Sequence, residues 1–497
     1  HKLNAEEGKT ILETLQEHGI HVLTAPCGGR GRCGKCTVEV EHMGEVLACM
    51  TKVTDGMRIT IPKVQLRAQK SKIAENGTVT HYPADDGEGL DAACDIGTTT
   101  VVCHLIDGKT GEKLATVSEP SAQRSFGADV LSRIQAAEAG KLEILKEQII
   151  FQIAQMLRTL QKKTGRGEQI QRLAVVGNTV MCHLFAGISP VSIGVTPFMP
   201  QEFFGKEYTG EQLGLTDCRS VYIAPAVAGF VGGDITSDLL AVMQKKPKDK
   251  VLLLDIGTNG EMAVGNEEQI YCCATAVGSA FEGAEMAMGM PAAAGAISHV
   301  WLDQRRIRVQ VIGDEEACGI CGSGLIDALA VILEMGLLDH TGLLKQKQSV
   351  SVAYRKYLGE YAGQPCVWLA HKVCVTQEDI RGLQLAKAAF AAGMRILLQD
   401  SHTSYEQLDH VILAGGFGSY LKKESAAAIG LIPKELLPIT DSVGNAAGEG
   451  AVSAAISKKA REQLSIIQKS MHYIELSTHP DFSQEYMNQM NFDGSER

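Results

Sequence analysis

Nowhere in the 497 residues does an apolar run reach the roughly 18 residues that a membrane-spanning helix needs, so no membrane span is expected. An excess of positive charge is also lacking. The 47 Lys and Arg stand against 58 Asp and Glu, a net charge of −11, whereas nucleic-acid-binding surfaces are usually basic, so no nucleic-acid partner is expected. The opening HKLNAEEGKT is polar and has no apolar stretch of the kind a secretory signal carries, and the expected location is the cytoplasm. A secreted disulfide scaffold is excluded too. There are 14 cysteines, but the chain is long and ten of them are scattered. Cys94, Cys103, Cys182 and Cys272 lie in apolar surroundings and read as reduced core thiols. What remains is an ordinary globular composition, 45% hydrophobic and 21% charged, over a length that accommodates several domains.

The other four cysteines are concentrated. Within APCGGRGRCGKCTVEV stand Cys27, Cys33 and Cys36, and Cys49 follows, giving C-x5-C-x2-C-x12-C. A phosphate loop is a near miss here, because Gly29–Cys36 is one residue from G-x-x-x-x-G-K-[ST]. Cys36 replaces the magnesium-binding hydroxyl, and the following Thr37-Val38-Glu39-Val40 alternates like a strand instead of opening a helix. A metal site fits better. Three ligands on one long loop and a fourth beyond a hairpin have the form of the plant-type [2Fe–2S] spacing, with one residue more in the first gap. Gly28, Gly29, Gly31 and Gly34 let the loop wrap and aim amides at sulfur. Zinc and a chance clustering of buried thiols stay open as alternatives. Cys318 and Cys321 form a C-x-x-C in a glycine-rich turn entering a helix, with no second pair nearby in sequence.

The flanks extend the argument. Ile11, Leu12, Leu15 and Ile20 have helical spacing over Glu6–Ile20, and Met57, Ile59 and Ile61 alternate as a strand. Residues 1–63 resemble the β-grasp [2Fe–2S] ferredoxin domains. In that family a strand precedes the position of Leu3, so the first strand is expected to be truncated here. Residues 64–90 mix charge, glycine and proline and read as a linker.

Two similar hairpins follow: DAACDIGTTTVVCHLID and, some 160 residues later, KVLLLDIGTNGEMAVG. One Asp-Ile-Gly-Thr is merely a good turn; two, each after an apolar strand and each opening a domain-sized segment, suggest a duplicated fold. A third element, HVILAGGFGSYL, places glycines just after a buried strand. Together these motifs resemble the actin-like ATPases. The resemblance implies an α/β part with two RNase-H-like lobes, 91–232 and 233–497, with ATP and Mg2+ in the cleft. It further implies phosphate contacts from Asp95, Gly97, Thr98, Thr99, Asp255, Gly257, Thr258 and Asn259. The two aspartates would hold hydrated magnesium or the attacking water, and Gly415, Gly416 and Gly418 would carry the adenosine. GNAAGEGA at 444–451 would be a helix crossing back between lobes. Between the hairpins, Asp129–Ala139 and Ile144–Leu160 have the spacing of amphipathic helices. Asp234, before a helix, is expected to be an N-cap, with a cleft base as the other option.

Across its length the chain resembles the reductive activators of corrinoid proteins. The strings carrying this are FGADVLSRI, VVGNTVMCHL, GSAFEGAEMAMGM, GICGSGLIDAL, LQLAKAAFAAGM, LAGGFGSYL and YIELSTHPDF. The resemblance implies an α+β multidomain enzyme that hydrolyses ATP and delivers one electron from a [2Fe–2S] cluster to inactive Co(II) corrinoid, regenerating Co(I) for methyl transfer. The implied partners are a corrinoid protein, a low-potential donor such as a ferredoxin or flavodoxin, and a second copy of the chain. The chain is shorter than larger members, mainly in the first domain and linker. An electron activator of the dehydratase or reductase type, and a redox-sensing nucleotide switch without electron delivery, are the other readings.

Overall fold

A capping box starts the first helix, Ile11–Glu17: Thr10 Oγ1 accepts from the Glu13 amide, and the Glu13 carboxylate accepts from the Thr10 amide at 2.8 Å. The helix is shorter than its periodicity suggested because this box begins at Thr10 and Gly19, at φ 67°, follows its end. Ile11, Leu12 and Leu15 share a small core with Val38, Val40 and Leu23. The strands β1 (Thr37–Val40), β2 (Gly44–Leu47) and β3 (Ile59–Thr60) form an antiparallel sheet in the order β2-β1-β3. The computed structural model describes the chain apart from residues 1, 21, 22, 24, 63–81, 88, 247, 282, 284, 285, 416–420 and 493–497.

The chain divides into two compact units, residues 1–237 with 447–465, and residues 238–446 with 466–497. Most of the expected linker lies outside the described residues, but its end is anchored. The amides of Asp85 and Asp86 donate to the Ile456 carbonyl, the Asp85 carboxylate accepts from the Lys458 amide at 2.7 Å, and Asp86 pairs with Arg172 and Arg461.

In the first unit, β4 (Leu90–Ile96), β5 (Thr100–Asp107), β6 (Glu112–Pro120), β7 (Ile170–Val176), β8 (Lys206–Thr209) and β9 (Cys218–Ile223) form one sheet ordered β6-β5-β4-β7-β9-β8. In the second, β10 (Val251–Ile256), β11 (Asn259–Gly265) and β12 (Ile270–Ala276) join three later strands in the order β20-β19-β10-β11-β12-β21. Between them in the chain come β13 (Ala296–Asp303), β14 (Arg306–Val311) and β15 (Gly319–Ile320), then β16 (Leu358–Tyr361), β17 (Gln364–Ala370) and β18 (Val373–Thr376), as two three-stranded sheets. The three later strands are β19 (His410–Ala414), β20 (Thr440–Gly444) and β21 (Met471–Ile474).

The two large sheets share a frame. Each is a meander of three antiparallel strands whose first strand accepts two parallel strands on its other side, β7 and β9 in one and β19 and β20 in the other. This is the duplication that the paired hairpins implied, with RNase-H-like connectivity. The first strands are buried along nearly all their length, as central strands covered on both faces must be. Burial slackens only at Asp95 and Asp255, one residue before each strand ends. Helices at Leu142–Thr164 and Gln377–Asp400 pack their apolar stripes against these sheets.

Candidate functional site

The cysteine loop is built by glycine. Gly28, Gly29, Gly31 and Gly34 all have φ between 63° and 85°, which turns successive amides inward. A side chain at Gly31 would meet Met50 Sδ at 2.8 Å, a contact the exposed Met50 can relieve by moving, so the left-handed backbone is what calls for glycine there. Around the loop the sulfurs stand in two pairs: Cys27 and Cys33 at 3.4 Å, and Cys36 and Cys49 at 3.3 Å. Cys36 and Cys49 are buried, and Cys27 and Cys33 are half-buried.

The electrostatics favour negative sulfur at Cys27, whereas burial raises the Cys33 thiol beside it. Burial raises the Cys27 thiol, but amides of Cys33, Arg32 and Arg30 outweigh it and bring the group down to about 7. Burial, then the neighbouring Cys36 thiol, pushes Cys49 up to about 12, although the Gly31 amide opposes this. Among the described residues no three His, Cys, Asp or Glu converge as one mononuclear metal requires. Two thiol pairs with amides aimed at sulfur instead fit a binuclear cluster with two thiolates per iron. Cys318 and Cys321 form no such pair: Cys318 is exposed beside Met290 Sδ at 3.9 Å, and Cys321 is buried with its thiol on the Ile297 carbonyl.

In the first unit, Asp95 stands near the end of β4, paired across to Val102 and Val176. Gly97, Thr98 and Thr99 make the turn into β5. A side chain at Gly97 would strike the Thr100 carbonyl at 2.6 Å, so the turn needs glycine there. The Thr98 hydroxyl accepts from Asn178 Nδ2 at 3.0 Å, and the Thr99 carbonyl accepts from the Ser121 amide at 2.8 Å. Asn178 also caps the helix Thr179–Ala186 through the Met181 amide. Asp234 lies inside the first turn of the helix Gly233–Met243 and not at its N-cap; its Oδ1 accepts from the Ile235 amide at 2.9 Å. Both Asp95 and Asp234 are close enough to the buried Cys182 thiol that, after burial itself, their charges raise it further. Strand β4 and the helix at 233 thus set two carboxylates around the Cys182 thiol, while Asn178, after β7, holds the Thr98 hydroxyl.

In the second unit, Asp255 occupies the matching place on β10, and Gly257, Thr258 and Asn259 form the turn, closed by the Gly257 amide on the Asn259 carbonyl at 3.0 Å. Burial raises the Asp255 carboxyl to about 6, against a lowering hydrogen bond from Asp238, which is fully buried. Asp238 was not singled out from sequence. Gly415, at φ 90°, follows β19, and a side chain there would stand 2.3 Å from Asp255 Oδ1. Gly416 and Gly418 lie outside the described residues. The arrangement can hold a proton between two carboxylates beside a turn of amide and hydroxyl donors.

Family models match the chain along nearly all of its length. A 2Fe-2S iron–sulfur cluster binding domain matches residues 1–63, the RACo middle region matches 90–246, and the C-terminal ASKHA domain of RACo matches 249–497. The corrinoid activation enzyme RamQ of Eubacterium limosum is 31% identical over 94% of this chain and 93% of that protein. The chain belongs to the RACo family of reductive activators of corrinoid proteins. A more distant relative, the Co(II) methylated amine-specific corrinoid protein reductase of Methanosarcina barkeri, is 25% identical over 80% of this chain and 76% of that one. Among solved structures, a reductive activator for corrinoid, iron-sulfur protein superposes with a TM-score of 0.73 at 29% identity, covering 99% of this chain and 96% of its own. The RACo assignment places a 2Fe-2S cluster-binding domain at the N-terminus and an ASKHA ATPase-like domain at the C-terminus. No helix among the described residues is long and apolar enough to cross a membrane.

Proposed function

We propose that this protein reactivates a corrinoid protein by reducing its Co(II) form to Co(I) with one electron, coupled to hydrolysis of ATP. The observation that carries this reading is the joining, in one chain, of two amide-wrapped thiol pairs and two Asp-Ile-Gly-Thr hairpins on a duplicated ATPase-like frame. Cys27 with Cys33, and Cys36 with Cys49, hold the [2Fe–2S] cluster, which supplies the single electron. The loop amides stabilise negative sulfur, and burial keeps water from Cys36 and Cys49. An acidic low-potential donor, a ferredoxin or flavodoxin, suits the loop's outer face, where Arg30 and Arg32 are exposed and residues 25–36 contain no acidic side chain.

Each hairpin turn offers amides and threonine hydroxyls to phosphate oxygens of ATP, while Asp95 and Asp255 orient magnesium or the attacking water. Gly415 leaves the Asp255 carboxylate room, and Gly415, Gly416 and Gly418 take the adenosine side.

The test mixes the iron–sulfur-loaded protein with a Co(II) corrinoid protein and a low-potential donor under anaerobic conditions. The Co(I) absorbance band is expected to rise on adding ATP with Mg2+. Asp255→Asn should keep a reducible cluster, lose roughly 100-fold or more in hydrolysis, and fail to sustain Co(I) formation. Wild-type rates of Co(I) formation without any nucleotide would overturn the coupled reading.

A further inference from the structure

Arg133 is fully buried, on the inner side of the helix Val130–Ala136, whose start is fixed by Asp129 accepting from the Ser132 amide at 2.7 Å. Its guanidinium faces two ways. Nη2 donates to the carbonyl of Thr98, in the turn after β4, and lies 3.4 Å from the carbonyl of Gly127, while Nη1 lies 3.4 Å from Gln123 Oε1. The hydroxyl of the same Thr98 is held by Asn178. The far side of the 125–128 segment carries the cysteine loop. Gln16 Nε2 donates to the Ser125 carbonyl at 2.6 Å, the Ala128 amide donates to the Pro26 carbonyl at 3.2 Å, and a side chain on Gly28 would stand 3.5 Å from the Phe126 carbonyl. Pro26 and Gly28 are the neighbours of Cys27.

A continuous chain of hydrogen bonds therefore runs from the β4–β5 turn to the residue before a cluster ligand, within one compact unit. The pivot is Gly127, at φ 143°, where a side chain would collide with Ser132 Cβ at 2.2 Å. Its carbonyl faces Arg133 while the next amide faces the cysteine loop. The seam is not tightly filled: a cavity of about 220 Å³ runs along it between Leu12, Gln16, Gly29, Cys49, Phe126 and Ala136. The loop and the 125–128 segment can shift against each other without emptying a packed core.

We infer that Arg133 is a positioning residue that carries the nucleotide state of the β4–β5 turn to the cysteine loop. The inference rests on reading that turn as phosphate-binding. Phosphate oxygens that engage the turn's amides and hydroxyls rotate the Thr98 peptide, and Arg133, which keeps its charge in all conditions, redistributes its donors between Thr98 and Gly127. The Gly127–Ala128 peptide then turns, the bond to Pro26 changes, and so does the aim of the amides around Cys27. Amides on sulfur are what set the properties of a thiolate-held cluster. The coupling is reciprocal by thermodynamic necessity, so the redox state of the cluster alters nucleotide affinity by the same factor.

The experiment uses the full, iron–sulfur-loaded chain and a non-hydrolysable ATP analogue. It records the EPR spectrum of the reduced cluster, amide exchange at 27–29 and 125–129, and analogue affinity in the oxidised and reduced states. The wild type should show a nucleotide-dependent EPR change, altered exchange at 27–29, and unequal affinities in the two redox states. Arg133→Lys keeps the charge but is too short to bring a donor to where Nη2 meets both carbonyls, and it lacks the planar fork; Gln16→Met removes one tie on the cluster side and leaves the hairpin untouched. Both should retain the iron and bind analogue within about tenfold of wild type, the scale of one lost hydrogen bond. In Arg133→Lys the EPR change should disappear and the two affinities should become equal, and in Gln16→Met, where the 125–128 segment is less firmly tied to the cysteine domain, both differences should shrink. Variants that respond like the wild type, or a wild type that binds analogue with no response at 27–29 and equal affinities, overturn the relay. A wild type that binds no analogue overturns the phosphate reading together with it, and equilibrium dialysis tells that case apart.

Discussion

Cys36 is 1% exposed and 3.3 Å from the Cys49 sulfur, whereas Cys318 is exposed with its sulfur 3.9 Å from Met290 Sδ. Cys36→Ser should therefore lose the centre, with iron and sulfide falling from about two each per chain, and Cys318→Ser should leave both counts unchanged. Asp255 gives a prediction with a sign. Its carboxyl, raised by burial to about 6, keeps its proton in the folded chain to higher pH than in the unfolded one. Stability is then lost as pH rises from about 4 to about 6 and is not regained above. Asp255→Asn removes that cost, so thermal denaturation near pH 7.5 should show a more stable variant, the difference vanishing below about pH 4. Equal stability of the two proteins near pH 7.5 would sink this account of Asp255. The carboxylates of the two turns were legible in the sequence because each ends an apolar strand. Asp238 was not: it is a single acid on an apolar helix, and only the fold sets it against Asp255. Arg133 was hidden likewise, since a basic residue in an amphipathic helix reads as solvent-facing until the helix is seen to turn it inward.

At the scale of elements, the turn after β19 works by absence of a side chain. Gly415→Ala adds strain at φ 90° and pushes a methyl toward Asp255 Oδ1. A drop in melting temperature, together with loss of ATP hydrolysis at an unchanged iron content, is the expected result; an active, equally stable Gly415→Ala protein contradicts the close approach. Hairpins β4–β5 and β10–β11 could be read from sequence because β-branched runs flank a good turn. Helix limits were less legible. The first helix ends where Thr10 and Gly19 place its caps, not where apolar spacing fades, and Asp234 falls one residue inside a helix that begins on glycine.

For the whole molecule, charge is uneven although the total is acidic. The exposed Arg30 and Arg32 sit on the cysteine loop, and no ion pair among the described residues engages them. Reduction of the cluster by an acidic protein donor should slow as salt is raised, and Arg30→Glu combined with Arg32→Glu should make it slow at all salt concentrations in stopped-flow measurements. A salt-independent wild-type rate would place the donor elsewhere. The duplicated frame was visible from the repeated Asp-Ile-Gly-Thr, because both copies kept the same strand–turn–strand. The assignment of residues 447–465 to the first unit was less so, since the ties that hold them run from Asp85, Asp86 and Lys113 to side chains and backbone more than 300 positions away.

That last feature bears on how the protein is made. During synthesis the segment from Asp85 to Ile223 leaves the ribosome long before Glu449, Ile456 and Arg461 exist, so Lys113, Asp86 and Arg172 wait without the partners that complete their surroundings. Contacts of such sequence separation form late and slowly. The first-born half of this enzyme thus becomes whole only when the second half is nearly finished, and a nascent chain stalled before residue 446 exposes an unfinished surface that chaperones, or other copies of itself, will find.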